Sequence, residues 1–166
     1  MSNYVAIDIK LLLEGGSAFV NPRELLEDLS AEQATYKLDR THTIAEIIAH
    51  LTYWQSWFYA GAAGEPRAYP ESGDDSWFAV EPEAWDSLRV DFLAGLETIK
   101  SICDDAELLN RPFAKSSIVA GGHDKRTVGT TLLYTVALHN AHHYGQIITL
   151  RQHLGAWPPR AGGKRW

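Results

Sequence analysis

Two histidines four residues apart, His139 and His143, are the side chains of this chain best placed to do chemistry. They lie in the sequence LHNAHHYGQII, inside the longest stretch with helical apolar periodicity. Residues i and i+4 share one face of an α-helix, so both imidazole rings can reach the same atom. The zinc motif HExxH uses the same spacing to present two nitrogen ligands. The pair therefore predicts part of a metal site, which needs at least one more ligand.

A third histidine, His50, lies inside another predicted long helix, in the sequence EIIAHLTYW. It stands at the edge of the apolar stripe of that helix, so we expect its side chain to point into a helix bundle rather than into water. Three histidines from two helices leave coordination positions open, as in catalytic zinc sites, whereas structural zinc sites usually have four protein ligands. A metal ion held in this way could activate a water, polarise a substrate or bind a thiolate.

Each of these histidines also has an interpretation without a metal. Seven histidines in 166 residues produce close spacings by chance, and His50 taken alone is typical of a hydrogen-bonded core histidine. A buried hydrogen-bonded cluster of imidazoles therefore stays an alternative. His142 lies about 60° around the helix from His139, so we expect it to line the site rather than to bind the metal. Surface positions are expected for the remaining histidines, His42, His123 and His153.

Four more side chains are candidates for contacts around the site. Gln146 is almost in line with the histidine pair and could orient an imidazole or contact a bound ligand. Glu46 is a candidate carboxylate ligand, but Thr43-x-x-Glu46 is also a capping box, which explains the glutamate more simply. Trp54 and Trp57 could line an apolar substrate pocket, although aromatic residues at helical spacing more often belong to the core.

Composition narrows the class of protein. The chain of 166 residues is 45% hydrophobic and 22% charged, which is typical of one globular domain spanning residues 1–166. Its formal net charge of −6 argues against a nucleic-acid partner, and the short basic pair Lys164 and Arg165 does not change that. No apolar run approaches the roughly 20 residues that span a membrane. We therefore expect no nucleic-acid or membrane partner.

The compartment is predicted from the first residues and from the cysteine content. The opening sequence has no basic segment followed by an apolar one, so we expect no signal peptide. Cys103 is the one cysteine and lies in an apolar helical pattern, which favours a small buried hydrophobe over a nucleophile. Both observations favour a cytoplasmic protein.

Apolar periodicity and capping signals predict an all-α chain. The four long helices are expected at about Tyr4 to Leu13, from Thr43 to an end at Gly61 and Gly64, from about Glu81 to Cys103, and from Thr127 to about Leu154. Short helices are expected after Asn21 and after Ser30. Residues 65–80 and 104–126 are predicted loops, in which only residues 117–120 could be extended. The natural packing is an antiparallel four-helix bundle with short extra helices and long crossover loops.

Three segments of the chain resemble the DinB-like metal-binding proteins, a family that includes relatives of metal-dependent thiol S-transferases and metal-dependent hydrolases. They are LLLEGGSAFVNP near the start, IAEIIAHLTYWQSWF around His50, and LHNAHHYGQIITLRQHLGAWPP around His139 and His143. The resemblance implies an up-down-down-up four-helix bundle, commonly a homodimer, with a divalent metal ion held by these three histidines. Zinc and nickel are the metals it implies.

One position departs from the family pattern. Many members have Arg directly after the last metal-binding histidine, where this chain has Tyr144. The departure leaves the three histidines intact, but contacts to substrate cannot be carried over from the family.

Two functions follow as hypotheses. The first is a metal-dependent enzyme of the hydrolase or thiol S-transferase type, acting on a small molecule. No side chain stands out as a general base, so water or thiol activated by the metal would be the nucleophile. The alternative is a non-catalytic, stress-associated protein that binds a metal or small ligand and acts as a dimer. Motifs for other chemistry, such as GxSxG, the P-loop, GxGxxG and CxxC, are absent from the sequence.

Overall fold

Capping residues in the sequence start most of the helices. A computed structural model describes residues 3–15, 20–65, 67–114 and 126–160. The longer helices of its first two thirds are α1 (Asn3–Glu14), α4 (Ile44–Ala63) and α5 (Trp85–Ile102). Thr43 caps α4 in the predicted capping box: its hydroxyl accepts the Glu46 backbone N–H, and the Glu46 carboxylate accepts the Thr43 N–H.

The predicted short helices are also present. In α2 (Pro22–Leu25) the Asn21 side chain caps the N-terminus, and in α3 (Ala31–Thr35) Ser30 and Gln33 form a capping box. The connection from α4 to α5 contains 3-10 turns at Gly73–Ser76 and Pro82–Ala84. A further short helix, α6 (Ala106–Asn110), lies where only a loop was predicted.

The last helix differs from its predicted form because its middle is π-helical. It consists of α7 (Val128–Thr131), a π segment (Leu132–Leu138) and α8 (His139–His153). Buried positions recur every four residues, at Val128, Leu132, Val136, Asn140 and Tyr144. That interval exceeds the 3.6 residues of an α-helical turn, and the wider turn of a π-helix keeps such positions on one face.

The long helices pack as a bundle. Contacts join α1 to α5, α5 to α4, α4 to the last helix, and the last helix back to α1. The chain therefore crosses the bundle twice, from α1 to α4 through α2 and α3, and from α5 to the last helix through α6. Within the described ranges the structure is all-helical, apart from one isolated bridge between Pro112 and Thr127. The segment 117–120, predicted as extended, lies outside these ranges, as do Lys164 and Arg165.

Two buried side chains in the core, Arg151 and Cys103, carry a charged group and a potentially reactive group. Arg151 is fully buried, and its guanidinium donates to the backbone carbonyls of Leu25 and Ala156, which ties α8 to α2. These bonds offset the cost of removing a charge from water. Cys103 is also buried, and burial raises the pKa of its thiol to about 11, as suits a core hydrophobe. No helix in the described part of the chain is both long and apolar enough to cross a membrane.

Gly61 does not end α4 as predicted. It lies inside the helix and is buried, and Gly64 alone forms the C-cap, with a φ of 89°. A Cβ atom at position 61 would overlap the ring of Phe113. Gly61 is therefore a point of close packing rather than a helix stop, because its missing side chain makes room for an aromatic ring.

The Gly61→Ala variant tests this packing. We expect the overlap with Phe113 to lower the free energy of unfolding by about 1–3 kcal/mol. Gly145→Ala in α8 is the matched control, since its Cβ would have no heavy atom within 4 Å. There we expect a gain of about 0.5–1 kcal/mol from the better helix former. Urea unfolding of both variants checks this, and equal effects would contradict the packing argument.

Candidate metal centre

Three imidazole nitrogens converge between α4 and α8. The Nε2 atom of His139 lies 3.2 Å from Nε2 of His50 and 3.0 Å from Nε2 of His143. All three rings offer a ligand atom within 4.8 Å of the others. The fold thus brings together the three histidines that the sequence singled out, although His50 is 89 residues from His139.

Two of the rings, those of His50 and His143, are also hydrogen-bonded through their other nitrogen, on the side away from the cluster. His50 Nδ1 lies 3.1 Å from the Ser76 carbonyl oxygen, and His143 Nδ1 lies 2.7 Å from the Gln146 amide oxygen. Carbonyl and amide oxygens only accept hydrogen bonds, so the Nδ1 atoms facing them donate. In a neutral ring this leaves Nε2 without a proton.

This donor set fits a divalent metal ion. Two nitrogens that each lie about 2.0–2.1 Å from one ion are about 2.8–3.4 Å apart when the angle between them is about 90–110°. The observed separations of 3.0 and 3.2 Å fall in that range. A hydrogen-bonded cluster without metal would need a proton on one Nε2 atom, and at His50 or His143 the neutral ring that carried it would lose its bond at Nδ1. The three histidines could therefore hold a metal ion, with imidazole as the only ligand type.

Burial keeps the three rings neutral. It lowers the pKa of His139 to about 3 and that of His143 to about 4, and the neighbouring imidazoles add to the effect on both rings. Burial lowers the pKa of His50 as well. A neutral imidazole is the form that binds metals, so these ligands need not lose a proton at neutral pH.

The three rings differ in their exposure to solvent. His50 and His143 are each 5% exposed, whereas His139 is partly exposed. Two cavities, of about 640 and 450 Å³, lie on other parts of the surface, and none of the three histidines lines them.

The two predicted tryptophans of α4 are both buried. Trp54 stands edge-on to the rings of His50 and His139, with centroids 6.3 and 6.1 Å away. Trp57 packs against Trp54 and Phe113. Neither indole N–H has a hydrogen-bond partner among the described residues. Trp54 thus forms an apolar wall of the centre, and Trp57 belongs to the core behind it.

Gln146 and His142 lie on the outer side of the centre. The Gln146 amide oxygen accepts from His143, and its amide nitrogen lies 3.3 Å from His142 Nε2. His142 itself is exposed and is not one of the three clustered rings.

The carboxylate of Glu46 is engaged in helix capping and in an ion pair. Its carboxylate accepts the Thr43 N–H and pairs with Lys37 at 3.0 Å. It is therefore not among the clustered ligand atoms. Of the histidines expected at the surface, His153 is exposed at the end of α8, and His123 lies outside the described residues.

Trp77 is the neighbour that the sequence reasoning missed. Its ring stacks on His50 with centroids 4.0 Å apart, and its other face stacks on His42 at 3.6 Å. His42 is therefore not merely a surface residue, although its side chain is 47% exposed. Trp77 lies in a connection without apolar periodicity. An aromatic residue in such a segment was the one feature of the sequence that could have indicated a contact with the site.

Tyr144, at the position where the family commonly has Arg, points into the core. It is 2% exposed, and its hydroxyl accepts from the Asn140 amide at 3.4 Å. Burial raises the pKa of this phenol. Position 144 therefore contributes packing beneath the centre and does not supply a charged side chain to it.

Comparison with known proteins adds one result. The family model of the DinB superfamily matches residues 21–147, a range that includes all three clustered histidines. Searches of the curated proteins and of the solved structures give no significant match. The matched range is well over half of the 166 residues. The chain therefore belongs to the DinB superfamily, and its helical bundle with a three-histidine cluster agrees with that membership.

Proposed function

We propose that this protein binds one divalent metal ion through His50, His139 and His143. With the ion bound, the protein would act in the cytoplasm as a metal-dependent hydrolase or thiol S-transferase. The observation that carries the proposal is the convergence of three imidazole Nε2 atoms, with that of His139 lying 3.2 Å from that of His50 and 3.0 Å from that of His143. A bound ion would supply Lewis-acid chemistry, activating a water for hydrolysis or a low-molecular-weight thiol for transfer to an electrophile.

The ligand set supports catalysis over a purely structural role. In the described part of the chain, no carboxylate or thiol belongs to the cluster of candidate ligands. Three neutral imidazoles leave the full dipositive charge of the ion available to polarise a substrate. They also leave positions for an exogenous ligand, which four-ligand structural sites do not. Zinc and nickel both suit imidazole nitrogen, and we propose one of these two metals.

The protein contributes orientation and exclusion of water. Ser76 and Gln146 fix the ring nitrogens behind two of the ligands, and Trp54 covers one side with an apolar ring. His139 is the most exposed of the three rings, so an incoming small molecule would approach on its side.

Metal binding is the first test. We expect wild-type protein to retain about one equivalent of zinc or nickel. Mutation of a residue that only hydrogen-bonds a metal ligand typically lowers metal affinity by about 10–100-fold. His143→Ala removes a ligand itself, so we expect it to lower the affinity by at least that much. His153→Ala is the matched control, because His153 is an exposed histidine of the same helix. Elemental analysis after dialysis and competition with a chromophoric chelator measure this. The metal site would be contradicted if wild-type protein took up neither metal, or if His143→Ala retained as much metal as wild type.

Activity is the second test. Metal-free protein should be inactive, and addition of zinc or nickel should restore either hydrolysis of ester and amide substrates or consumption of a small thiol with a haloalkyl electrophile. Loss of free thiol and mass spectrometry of the products distinguish the two reactions. His153→Ala should keep the activity that His143→Ala loses.

A non-catalytic metal-binding or small-ligand-binding protein is the second candidate. It is favoured by the position of the two described cavities, since neither is lined by the three histidines. Metal-loaded protein with no turnover in either assay would support this candidate over the enzyme.

We also propose that the protein is a homodimer. Large apolar side chains are exposed on α1, where Ile7 is 55% and Leu11 50% exposed, and on the π segment that α1 packs against, where Tyr134 is 58% and Leu138 39% exposed. Exposed apolar residues on two adjacent elements are typical of a protein–protein contact. A second copy of the chain would cover them.

Mass measurement tests the dimer. Light scattering on a sizing column should give twice the 18.5 kDa of one chain. The double variant Ile7→Glu, Leu11→Glu should be monomeric, because it places two charges in the contact. Val90→Glu on α5 is the control, since Val90 is 60% exposed but lies on another helix. A monomeric wild type, or a control that dissociates as well, would contradict this interface.

A further inference from the structure

Three rings are stacked in parallel beside the histidine cluster. The Trp77 indole lies flat between the imidazoles of His42 and His50, with centroid distances of 3.6 and 4.0 Å and an interplanar angle of 6° on both sides. The same indole meets His143 edge-on, with the two ring centroids 5.7 Å apart. Trp77 therefore contacts candidate ligands from both α4 and α8.

The residue before Trp77 also holds His50. The Ser76 carbonyl accepts from His50 Nδ1 at 3.1 Å. These two contacts constrain different motions of the imidazole. Stacking on the indole restricts rotation of the ring out of its plane, while the hydrogen bond selects one of the two orientations that differ by a half-turn. Together they determine where Nε2 points, which neither contact does alone.

The segment that makes these contacts, residues 72–77, contains hydrogen bonds that fix its conformation. The Ser72 hydroxyl accepts the Asp74 N–H, and the Asp75 carboxylate accepts the Ser72 N–H. The Ser76 hydroxyl donates to the Gly73 carbonyl, and Ser76 is 1% exposed. A turn closed by three internal hydrogen bonds can hold a neighbouring ring in place.

We propose that Trp77 is a positioning residue that, together with the Ser76 carbonyl, pre-orients His50 for metal binding. The inference rests on the proposed metal site. Without the indole, the His50 ring would sample other orientations, and binding would have to restrict them. Outer partners of metal-binding histidines typically contribute about 10–100-fold to affinity, and we expect a loss of that size when the flat ring is removed.

Three variants test the role of the ring. Trp77→Ala removes the flat face, Trp77→Phe keeps one, and Phe78→Ala is the control, since Phe78 is the adjacent residue, 45% exposed, and contacts Tyr53. Zinc affinity is measured by competition with a chromophoric chelator. We expect about a 10–100-fold loss for Trp77→Ala, recovery of most of it in Trp77→Phe, and wild-type affinity for Phe78→Ala. Wild-type affinity in Trp77→Ala, or no recovery with Phe, would overturn the proposal.

A second readout separates this proposal from the metal site itself. In metal-free protein, long-range ¹H–¹⁵N spectra report which nitrogen of His50 carries the proton. Wild type and Trp77→Phe should show the Nδ1–H form, and Trp77→Ala should show a mixture of both forms. If wild type binds neither zinc nor nickel, the metal site fails while this measurement still decides the positioning role. Should Trp77→Ala not fold, Trp77→Leu replaces it in both measurements, because it keeps apolar bulk but has no flat face.

Discussion

The site depends on three imidazoles, two of them buried and His139 half-buried, whose nitrogens converge on one region. Burial lowers the pKa of His139 to about 3 and that of His143 to about 4, so these rings stay neutral at neutral pH and their nitrogen lone pairs stay available. A cation placed among the rings would be attracted by all three at once. Two of the rings are held by hydrogen bonds from different elements, His50 by the Ser76 carbonyl and His143 by the Gln146 amide.

The topology of the bundle explains how two distant parts of the chain supply one cluster. The long connections carry the chain from α1 to α4 and from α5 to the last helix, so that α4 packs directly against α8. The π segment ends at Leu138, immediately before His139, the first candidate ligand of α8. His139 and His143 follow it four residues apart in the α-helical part, so they share the face that packs against α4.

Local signals made the helices and the ligands predictable, whereas the contacts behind the ligands were not. The capping box of Thr43 and Glu46 and the spacing of His139 and His143 are short-range patterns, which a sequence displays directly. Gly61 was wrongly predicted to end α4, because the ring of Phe113, which lies against it, is 52 positions further along the chain. Trp77 was missed for the same reason, since its position depends on how a connection without periodicity folds back onto α4.

The arrangement around His50 and Tyr144 shows where this chain departs from a generic family member. Tyr144 is buried in the core, so position 144 cannot offer the positive charge that an arginine would. The aromatic rings of Trp54 and Trp77 instead surround the cluster from the α4 side. Apolar and aromatic walls of this kind would strengthen the attraction of a bound ion for its ligands, because they lower the local dielectric. The wall is not purely apolar, since the buried indole N–H of Trp54 has no hydrogen-bond partner among the described residues. The aromatic rings around the cluster would therefore shape the chemistry of the site together with the three imidazoles.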